Sequence, residues 1–362
     1  MKTAKLSVSQ LTPDMIVADS VYTFNNQLII QKGTRLSDKI ITRLKFYSIE
    51  QVRIQIEESD TDEVPDVPQN KELYHDRLRS TPEFKNFNKS LLKMTDIIKD
   101  SMNGMVGNTV SPDIYALYNA VNEVMSHCRN GLHIFDMLHC MRSYDDHTYI
   151  HSVNVALICK ILGTWLNFTT KELETVTLCG LFHDIGKITI PYDIISKPSK
   201  LTQDEYSTVK AHAIRGYNIL RPLDLNINIK MAAMLHHERC DGSGYPMGLR
   251  GDQINKFAKV VMIADVYDAM TSARVYRGPL CPFEVISVFE SEGLAKYEPK
   301  FIMTFLEHIT QLYLHSNVKL NNGIVGEVIM MNRNCLSKPI IKVNNEFIDL
   351  SSKSDLSISS IL

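Results

Sequence analysis

The segment LFHDIGKITIP, residues 181–191, constrains the fold more than any other part of the chain. It places His183, Asp184 and Lys187 within five residues, after an apolar helical stretch and before a proline. Burying several ionisable side chains is unfavourable unless they have charged or hydrogen-bonding partners. The segment therefore predicts a buried polar site whose partners come from elsewhere in the chain.

Candidate partners lie on other predicted helices. His147 and His151 are four residues apart, which puts them on one face of a helix. Asp265 lies in KVVMIADVYDAM, where neighbours on several faces are apolar, as is typical of a buried helix that would need a cation near its carboxylate. The remaining candidates are His212, the pair His236–His237, and Asp268.

Two capping boxes indicate where helices begin. The sequences at 169–172 and 202–205 each place a threonine three residues before a glutamate. They predict the starts of helices that lead to His183 and to His212.

We expect a mainly α protein in which the part that contains these ionisable residues is all-helical. Asn25-Asn26 lies between two apolar runs, VYTF and QLIIQ, and predicts a hairpin near the N-terminus. The short runs GEVIMM, KPIIKV and EFIDLS predict a small C-terminal sheet. The predicted parts are an N-terminal α/β regulatory or docking unit (1–57), an acidic linker (58–75), a helical connector (76–140), the helical domain with the candidate site (141–315) and a β extension (316–362).

A helical bundle that gathers imidazoles and carboxylates suits Fe, Mn, Ni or Zn better than Ca or Mg. Several ligands with at least one carboxylate among them can bridge two ions, an arrangement that activates water for attack on phosphorus. The alternative is a set of buried histidines satisfied by hydrogen bonds alone. The residue types by themselves do not separate the two readings.

Six stretches resemble the HD superfamily of metal-dependent phosphohydrolases, and specifically its HD-GYP branch. Their order and spacing both agree with that branch. The stretches are HSVNVA (151–156), LFHDIGKITIP (181–191), KPSKLTQDEY (197–206), KAHAIRGYNIL (210–220), HHERCDGSGYPMGLRG (236–251) and ADVYDAMTSARVYR (264–277).

The resemblance implies a role for each matching residue. The implied metal ligands are His151, His183, Asp184, His212, His236, His237 and Asp265, with Asp184 as the bridge. Lys187 matches the lysine that touches the activated hydroxide or the scissile phosphate, and with Asp184 it is the implied catalytic pair. The implied substrate-binding residues are Gly244, Tyr245, Asp268, Arg274 and Arg277.

The family hydrolyses cyclic di-GMP to the linear dinucleotide pGpG, and in some members onward to GMP, by metal-activated hydroxide attack on phosphorus. We therefore expect a cyclic-di-GMP phosphodiesterase of bacterial signal transduction. Two alternatives stay open: a hydrolase of another cyclic or linear dinucleotide, and a non-hydrolysing sensor. The retained Asp184 and Lys187 argue against the sensor, which would need neither.

The chain departs from the family pattern at His147. Members with three metal ions usually carry Glu at this position, so His147 is a candidate third-ion ligand or a bystander. We expect two ions, or three, with Fe or Mn ahead of Ni or Zn.

Charge and composition limit the other partners. The net charge of −2 predicts no general attraction to nucleic acid polymers or anionic membranes, so local cations must hold an anionic substrate. The apolar stretch VNVALICKILGTWL is interrupted by Lys160 and is too short to span a bilayer. Seven cysteines without a CxxC pair indicate reduced thiols, and with no secretory signal they predict a cytoplasmic protein. The N-terminal unit is a candidate site for homodimerisation or for a signalling partner.

Overall fold

A computed structural model describes residues 2–7, 11–22, 28–37, 40–41, 44, 51–56, 78–107, 111–141, 147–197, 201–272 and 280–362. The chain divides into two compact units, whose described parts lie within 2–56 and within 78–362. Each unit has its own hydrophobic core. The predicted linker, 58–75, lies outside the described residues, and the predicted domain boundaries stay a prediction.

The N-terminal unit contains two antiparallel strand pairs. Strand β1 (Lys2–Ser7) pairs with β4 (Gln51–Ile56), and β2 (Val21–Tyr22) pairs with β3 (Leu28–Ile30). The second pair agrees with the hairpin predicted around Asn25-Asn26, although the turn itself lies outside the described residues.

The second unit is mainly helical, which confirms the predicted fold class. Its described helices are α1 (Pro82–Val106), α2 (Ile114–Ser126), α3 (Gly131–Cys140), α4 (His147–Trp165), α5 (Thr170–Phe182), α6 (Tyr192–Ile195), α7 (Gln203–Lys210), α8 (His212–Leu220), α9 (Ile227–Leu235), α10 (Lys256–Thr271), α11 (Pro282–Lys296) and α12 (Pro299–Gln311). A 3₁₀ turn (Ile185–Thr189) follows α5.

Helices α4, α5 and α10 pack against one another at the centre of this unit. Gly180 of α5 permits the approach to α4, because a Cβ there would lie 2.8 Å from the Cα of Ala156. On α10 every residue from Val260 to Asp265 is buried, as the apolar surroundings of Asp265 predicted. The centre of the unit therefore brings ionisable residues of separate helices into one apolar environment.

Both predicted capping boxes form. The Thr169 hydroxyl accepts from the backbone N–H of Glu172, whose carboxylate accepts from the N–H of Thr169, and Thr202 and Glu205 repeat the pattern on α7. The box fixes where α5 begins, and α5 then ends at Phe182, directly before the His183–Asp184 pair.

A five-stranded antiparallel sheet follows the helices. Its strands are β5 (Asn317–Leu320), β6 (Val325–Met330), β7 (Ile340–Val343), β8 (Glu346–Asp349) and β9 (Ile358–Ile361), in the spatial order β8-β7-β6-β5-β9. Strands β6, β7 and β8 overlap the three predicted β runs, whereas β5 and β9 were not predicted. Among the described residues, no helix combines the length and the apolarity that a membrane-spanning segment requires.

Candidate metal centre

The ends of several helices deliver the predicted ligands to one place. His151 lies in α4, Asp265 in α10, and His212 is the first residue of α8. The others lie directly after a helix: His183 and Asp184 after α5, His236 and His237 after α9. Residues far apart in the chain are therefore neighbours in the fold.

These side chains form two groups, each with potential ligand atoms within 4.8 Å of one another. One group contains His151, His183 and Asp265, and the other contains Asp184, His212, His236 and His237. All seven predicted ligands thus fall into one of two adjoining clusters of the kind that holds a metal ion.

Asp184 lies between the two groups. Its Oδ2 is 3.3 Å from Nε2 of His183 and 3.6 Å from Nε2 of His151. Its Oδ1 is 3.3 Å from Nε2 of His212 and 3.6 Å from Nε2 of His236. Each carboxylate oxygen therefore faces a different group, which is the geometry of a bridging ligand.

Main-chain carbonyls orient three of the imidazoles. In each, Nδ1 lies within hydrogen-bonding distance of a carbonyl oxygen three residues earlier, which can only accept, so Nδ1 is the donor. The distances are 2.7 Å from His183 to Gly180, 2.5 Å from His212 to Val209, and 3.0 Å from His236 to Ala233. The Nε2 atoms are thereby directed at the centre, where those of His212 and His236 are 3.2 Å apart.

His151 is oriented by a side chain instead. Its Nδ1 is 2.7 Å from Oδ2 of Asp268, whose Oδ1 accepts from the Asn154 amide at 3.1 Å. Its Nε2 is 3.1 Å from Oδ1 of Asp265. The resemblance assigns Asp268 to the substrate, but in this structure Asp268 is buried behind His151 and both of its oxygens are engaged.

Burial and neighbouring charges shift the pKa values of two imidazoles and two carboxylates of the centre. Burial lowers the pKa of His236 to about 4, and burial with the neighbouring imidazole lowers the pKa of His237 well below its usual value. Burial alone would raise the pKa values of Asp184 and Asp265. Lys187 and adjacent imidazoles hold the pKa of Asp184 well below its usual range, and adjacent imidazoles, His151 above all, do the same for Asp265. At neutral pH the imidazoles of His236 and His237 are therefore neutral and both carboxylates are ionised, which are the states in which these groups bind metal.

Two buried atoms of the centre have no hydrogen-bond partner in the described part of the structure. They are Nε2 of His183 and Oδ1 of Asp184. Buried polar atoms in native proteins are nearly always satisfied, and both of these are electron-pair donors. Bound metal ions would satisfy them, so the donor set fits a metal centre.

One side of the centre is open. The side chains of Lys187, His237 and His151 are 24%, 18% and 13% exposed, whereas His183 and Asp184 are almost completely buried. The Lys187 ammonium donates to Oδ2 of Asp184 and lies at this opening. A ligand would therefore reach the centre past Lys187.

The loop after α9 covers part of the opening. The Tyr245 ring stacks on His237 with 4.7 Å between ring centroids. At Gly244 a Cβ would lie 2.4 Å from the Cα of Glu238, so no larger residue fits there without moving the backbone. The position of Tyr245 over His237 thus depends on the glycine beside it.

Glu238 anchors this loop and was not predicted as a site residue. It is fully buried, and its two carboxylate oxygens accept from the backbone N–H groups of Met247 at 2.7 Å and Leu249 at 2.9 Å. The position of Glu238 directly after two histidines, in an otherwise polar loop, was the sequence signal that could have identified it. Asn154, which supports Asp268, was missed because nothing in HSVNVA distinguishes it from a surface amide.

Three predicted residues cannot be placed. Arg274 and Arg277 lie outside the described residues. His147 begins α4, but its side chain is outside the described part of the structure.

A family model described as an HD domain matches residues 95–301. The chain is 32% identical over 204 residues to a cyclic di-GMP phosphodiesterase of Pseudomonas aeruginosa, covering 56% of this chain and 49% of that protein. It is 38% identical over 145 residues to 3'3'-cGAMP-specific phosphodiesterase 1 of Vibrio cholerae, covering 40% of this chain and 34% of that protein. The chain thus spans half or less of the length of these curated relatives.

One solved structure supports the fold. An HDG"Y"P protein from Bdellovibrio bacteriovorus aligns with a TM-score of 0.50 and 17% identity, over 85% of this chain and 99% of that one. At that identity the likeness concerns the fold alone.

Proposed function

The chain belongs to the HD domain family, and from that membership we propose that it is a metal-dependent phosphodiesterase that hydrolyses cyclic di-GMP to pGpG. The observation that carries the proposal is Asp184, whose two oxygens each face one of two adjoining ligand groups. A protein that only binds a dinucleotide has no need of such a buried, charge-matched pair of sites. The activities named for the two curated relatives support the same chemistry.

The proposed ligands are the seven residues of the two groups. His151, His183 and Asp265 would hold one ion, and His212, His236 and His237 the other, with Asp184 shared. We propose Fe or Mn, with Ni or Zn as substitutes, because mixed imidazole and carboxylate donors suit these ions. A third ion would depend on His147. When bound, the ions supply an activated water and Lewis-acid stabilisation of phosphate oxygens.

The chain's own residues do the rest. Lys187, at the open side, holds a positive charge where a phosphate would enter and stabilises the negative charge that develops on its oxygens during displacement. Asp268 and the three main-chain carbonyls keep the imidazoles fixed, so the site needs little reorganisation on binding. Tyr245, with Gly244, forms one wall of the opening, and Arg274 and Arg277 are proposed to contact the substrate as well.

The setting of this activity is also a proposal. All seven cysteines are free thiols, which supports the cytoplasm of a bacterium as the location. We propose that the N-terminal unit regulates the catalytic part, either through self-association or by docking a signalling partner.

The test is metal analysis of anaerobically purified protein together with chromatography of products from cyclic di-GMP. We expect at least two ions per chain and conversion to pGpG, with GMP appearing if hydrolysis continues. Asp184→Ala should lose both metal and turnover, whereas Asp193→Ala, at an exposed position nine residues later in the chain, should keep both. A fully metal-loaded protein that binds cyclic di-GMP without product would instead be a sensor.

A second substrate has its own support. The identity of 38% to the cGAMP-specific enzyme of Vibrio cholerae makes 3'3'-cGAMP the competing candidate. The ratio of kcat/KM for the two cyclic dinucleotides decides between them.

A further inference from the structure

Lys210, the last residue of α7, lies between two tyrosine rings beside the metal centre. Its Nζ is 4.8 Å from the ring centroid of Tyr206, one turn earlier on the same helix. It is also 4.9 Å from the ring centroid of Tyr245, in the loop after α9. Because the Tyr245 ring is 4.7 Å from that of His237, the Lys210 ammonium lies within about 10 Å of a metal-centre imidazole.

A second lysine of this protein shows what a purely structural arrangement of this kind looks like. Lys256 also lies over two aromatic rings, 5.1 Å from Phe168 and 5.2 Å from Phe257. Its ammonium forms an ion pair with Glu172, in the first turn of α5. That turn is about 16 Å along the helix from His183, so Lys256 is remote from the centre.

Lys210 differs from Lys256 in one respect that bears on function. Among the described residues, no carboxylate lies within ion-pairing distance of Lys210. The cation is held in place by the two rings and its charge is left unmatched, next to a site proposed to receive a phosphodiester. Such a cation favours an anionic group in the ligand.

A cyclic dinucleotide carries two phosphates, and the metal centre with Lys187 accounts for only the one that is cleaved. We propose that Lys210 binds the second, uncleaved phosphate, and that Tyr206 and Tyr245 hold the ammonium in position for it. The inference rests on the proposed function, since it names a substrate contact of that same site. It adds a residue that determines preference for a substrate with two phosphates over one with a single phosphate.

The alternative is that Lys210 merely ties the loop to α7. The position of the loop does not depend on the contact between Lys210 and Tyr245 alone, because Glu238 already holds the loop through the N–H groups of Met247 and Leu249. A tie would affect every substrate equally, whereas a contact to the second phosphate affects only substrates that have one. The two roles therefore separate by substrate.

The experiment compares metal-loaded full-length wild type with Lys210→Met on cyclic di-GMP and on bis(p-nitrophenyl) phosphate, a diester with one phosphate. We expect KM for cyclic di-GMP to rise about tenfold or more, with kcat little changed. The kcat/KM for bis(p-nitrophenyl) phosphate and the metal content should stay at wild-type values. Lys210→Arg should retain most of the affinity, and Lys256→Met, which loses the same kind of ring contacts, should leave both substrates unaffected.

An unchanged KM for cyclic di-GMP in Lys210→Met, or equal losses on both substrates, would overturn the inference while leaving the proposed function intact. If wild type cleaves bis(p-nitrophenyl) phosphate but neither binds nor cleaves a cyclic dinucleotide, the proposed function fails and the inference with it. Thermal unfolding checks that the variants fold. Should Lys210→Met unfold, Lys210→Gln removes the charge with a polar side chain and is judged by the same criteria.

Discussion

Gly186→Ala should dismantle the metal centre although Gly186 is not a ligand. The residue lies in the 3₁₀ turn between Asp184 and Lys187, packed against α8. A Cβ at this position would lie 2.0 Å from the carbonyl oxygen of His212 and 2.6 Å from the nitrogen of Gly216. Both atoms belong to the backbone, so no side-chain rotation relieves the clash.

The size of the effect follows from these distances. Ordinary contact of a Cβ begins at 3.4 Å, so the turn and α8 must separate by about 1.4 Å at the His212 carbonyl. The Nε2 of His212 is 3.3 Å from Oδ1 of Asp184, and metal–ligand distances tolerate changes of only about 0.2 Å. We expect loss of metal, a fall in turnover of about a hundredfold or more, and a destabilisation of about 1–3 kcal/mol.

Metal content by mass spectrometry, turnover of bis(p-nitrophenyl) phosphate and urea unfolding measure the three effects. Gly293→Ala is the matched control, since a Cβ in that helix meets only the Ile302 side chain at 3.9 Å. It should keep metal and activity and gain about 0.5–1 kcal/mol of stability. Gly186→Ala protein that binds metal and turns over like wild type would refute the steric reasoning.

Three further outcomes are expected. Burial lowers the pKa of His151, but hydrogen bonds and charges from Asp265 and Asp268 outweigh it and raise the pKa to about 9 in the metal-free protein. Metal must therefore displace a proton from His151 below pH 9, so the apparent Kd for metal should rise about tenfold for each unit by which the pH is lowered. Calorimetry of metal binding at pH 7 in two buffers should show close to one proton released per chain, and release of no proton would contradict this. Glu238→Gln replaces one of two acceptor oxygens with a donor, so the loop should loosen and stability fall by about 1–3 kcal/mol with metal content kept; unchanged stability and KM would argue against an anchoring role. Thr169→Ala removes the N-cap of α5 and should lower the free energy of unfolding by about 1 kcal/mol with turnover unchanged, which urea unfolding measures.

Helix starts could be predicted from the sequence because their causes are local. The capping boxes at 169–172 and 202–205 need only residues three positions apart, and both form. Strands β5 and β9 were missed because their sequences, NVKL and ISSI, are short and half polar. The two strands are neighbours in the sheet and stabilise each other by antiparallel pairing. That pairing joins residues about forty positions apart, which no local pattern encodes.

The same distinction between local and long-range causes applies to the candidate site. Residue type and motif spacing were enough to nominate all seven side chains of the two groups. Motif spacing did not indicate how deeply each side chain is buried. Asp268, three residues after Asp265, lies behind His151 rather than at the opening. Nor could spacing show Glu238 as a loop anchor or Lys210 between two rings, since each depends on contacts between separate elements.

The imidazoles of the centre differ in how easily a mutation can remove the hydrogen-bond partner that orients them. Three are aimed by main-chain oxygens, which survive almost any amino-acid replacement at Gly180, Val209 or Ala233 that the packing tolerates. His151 is aimed by a carboxylate that a single codon change at Asp268 would delete. The orientation of His151 is therefore more sensitive to a single mutation than that of the other three imidazoles.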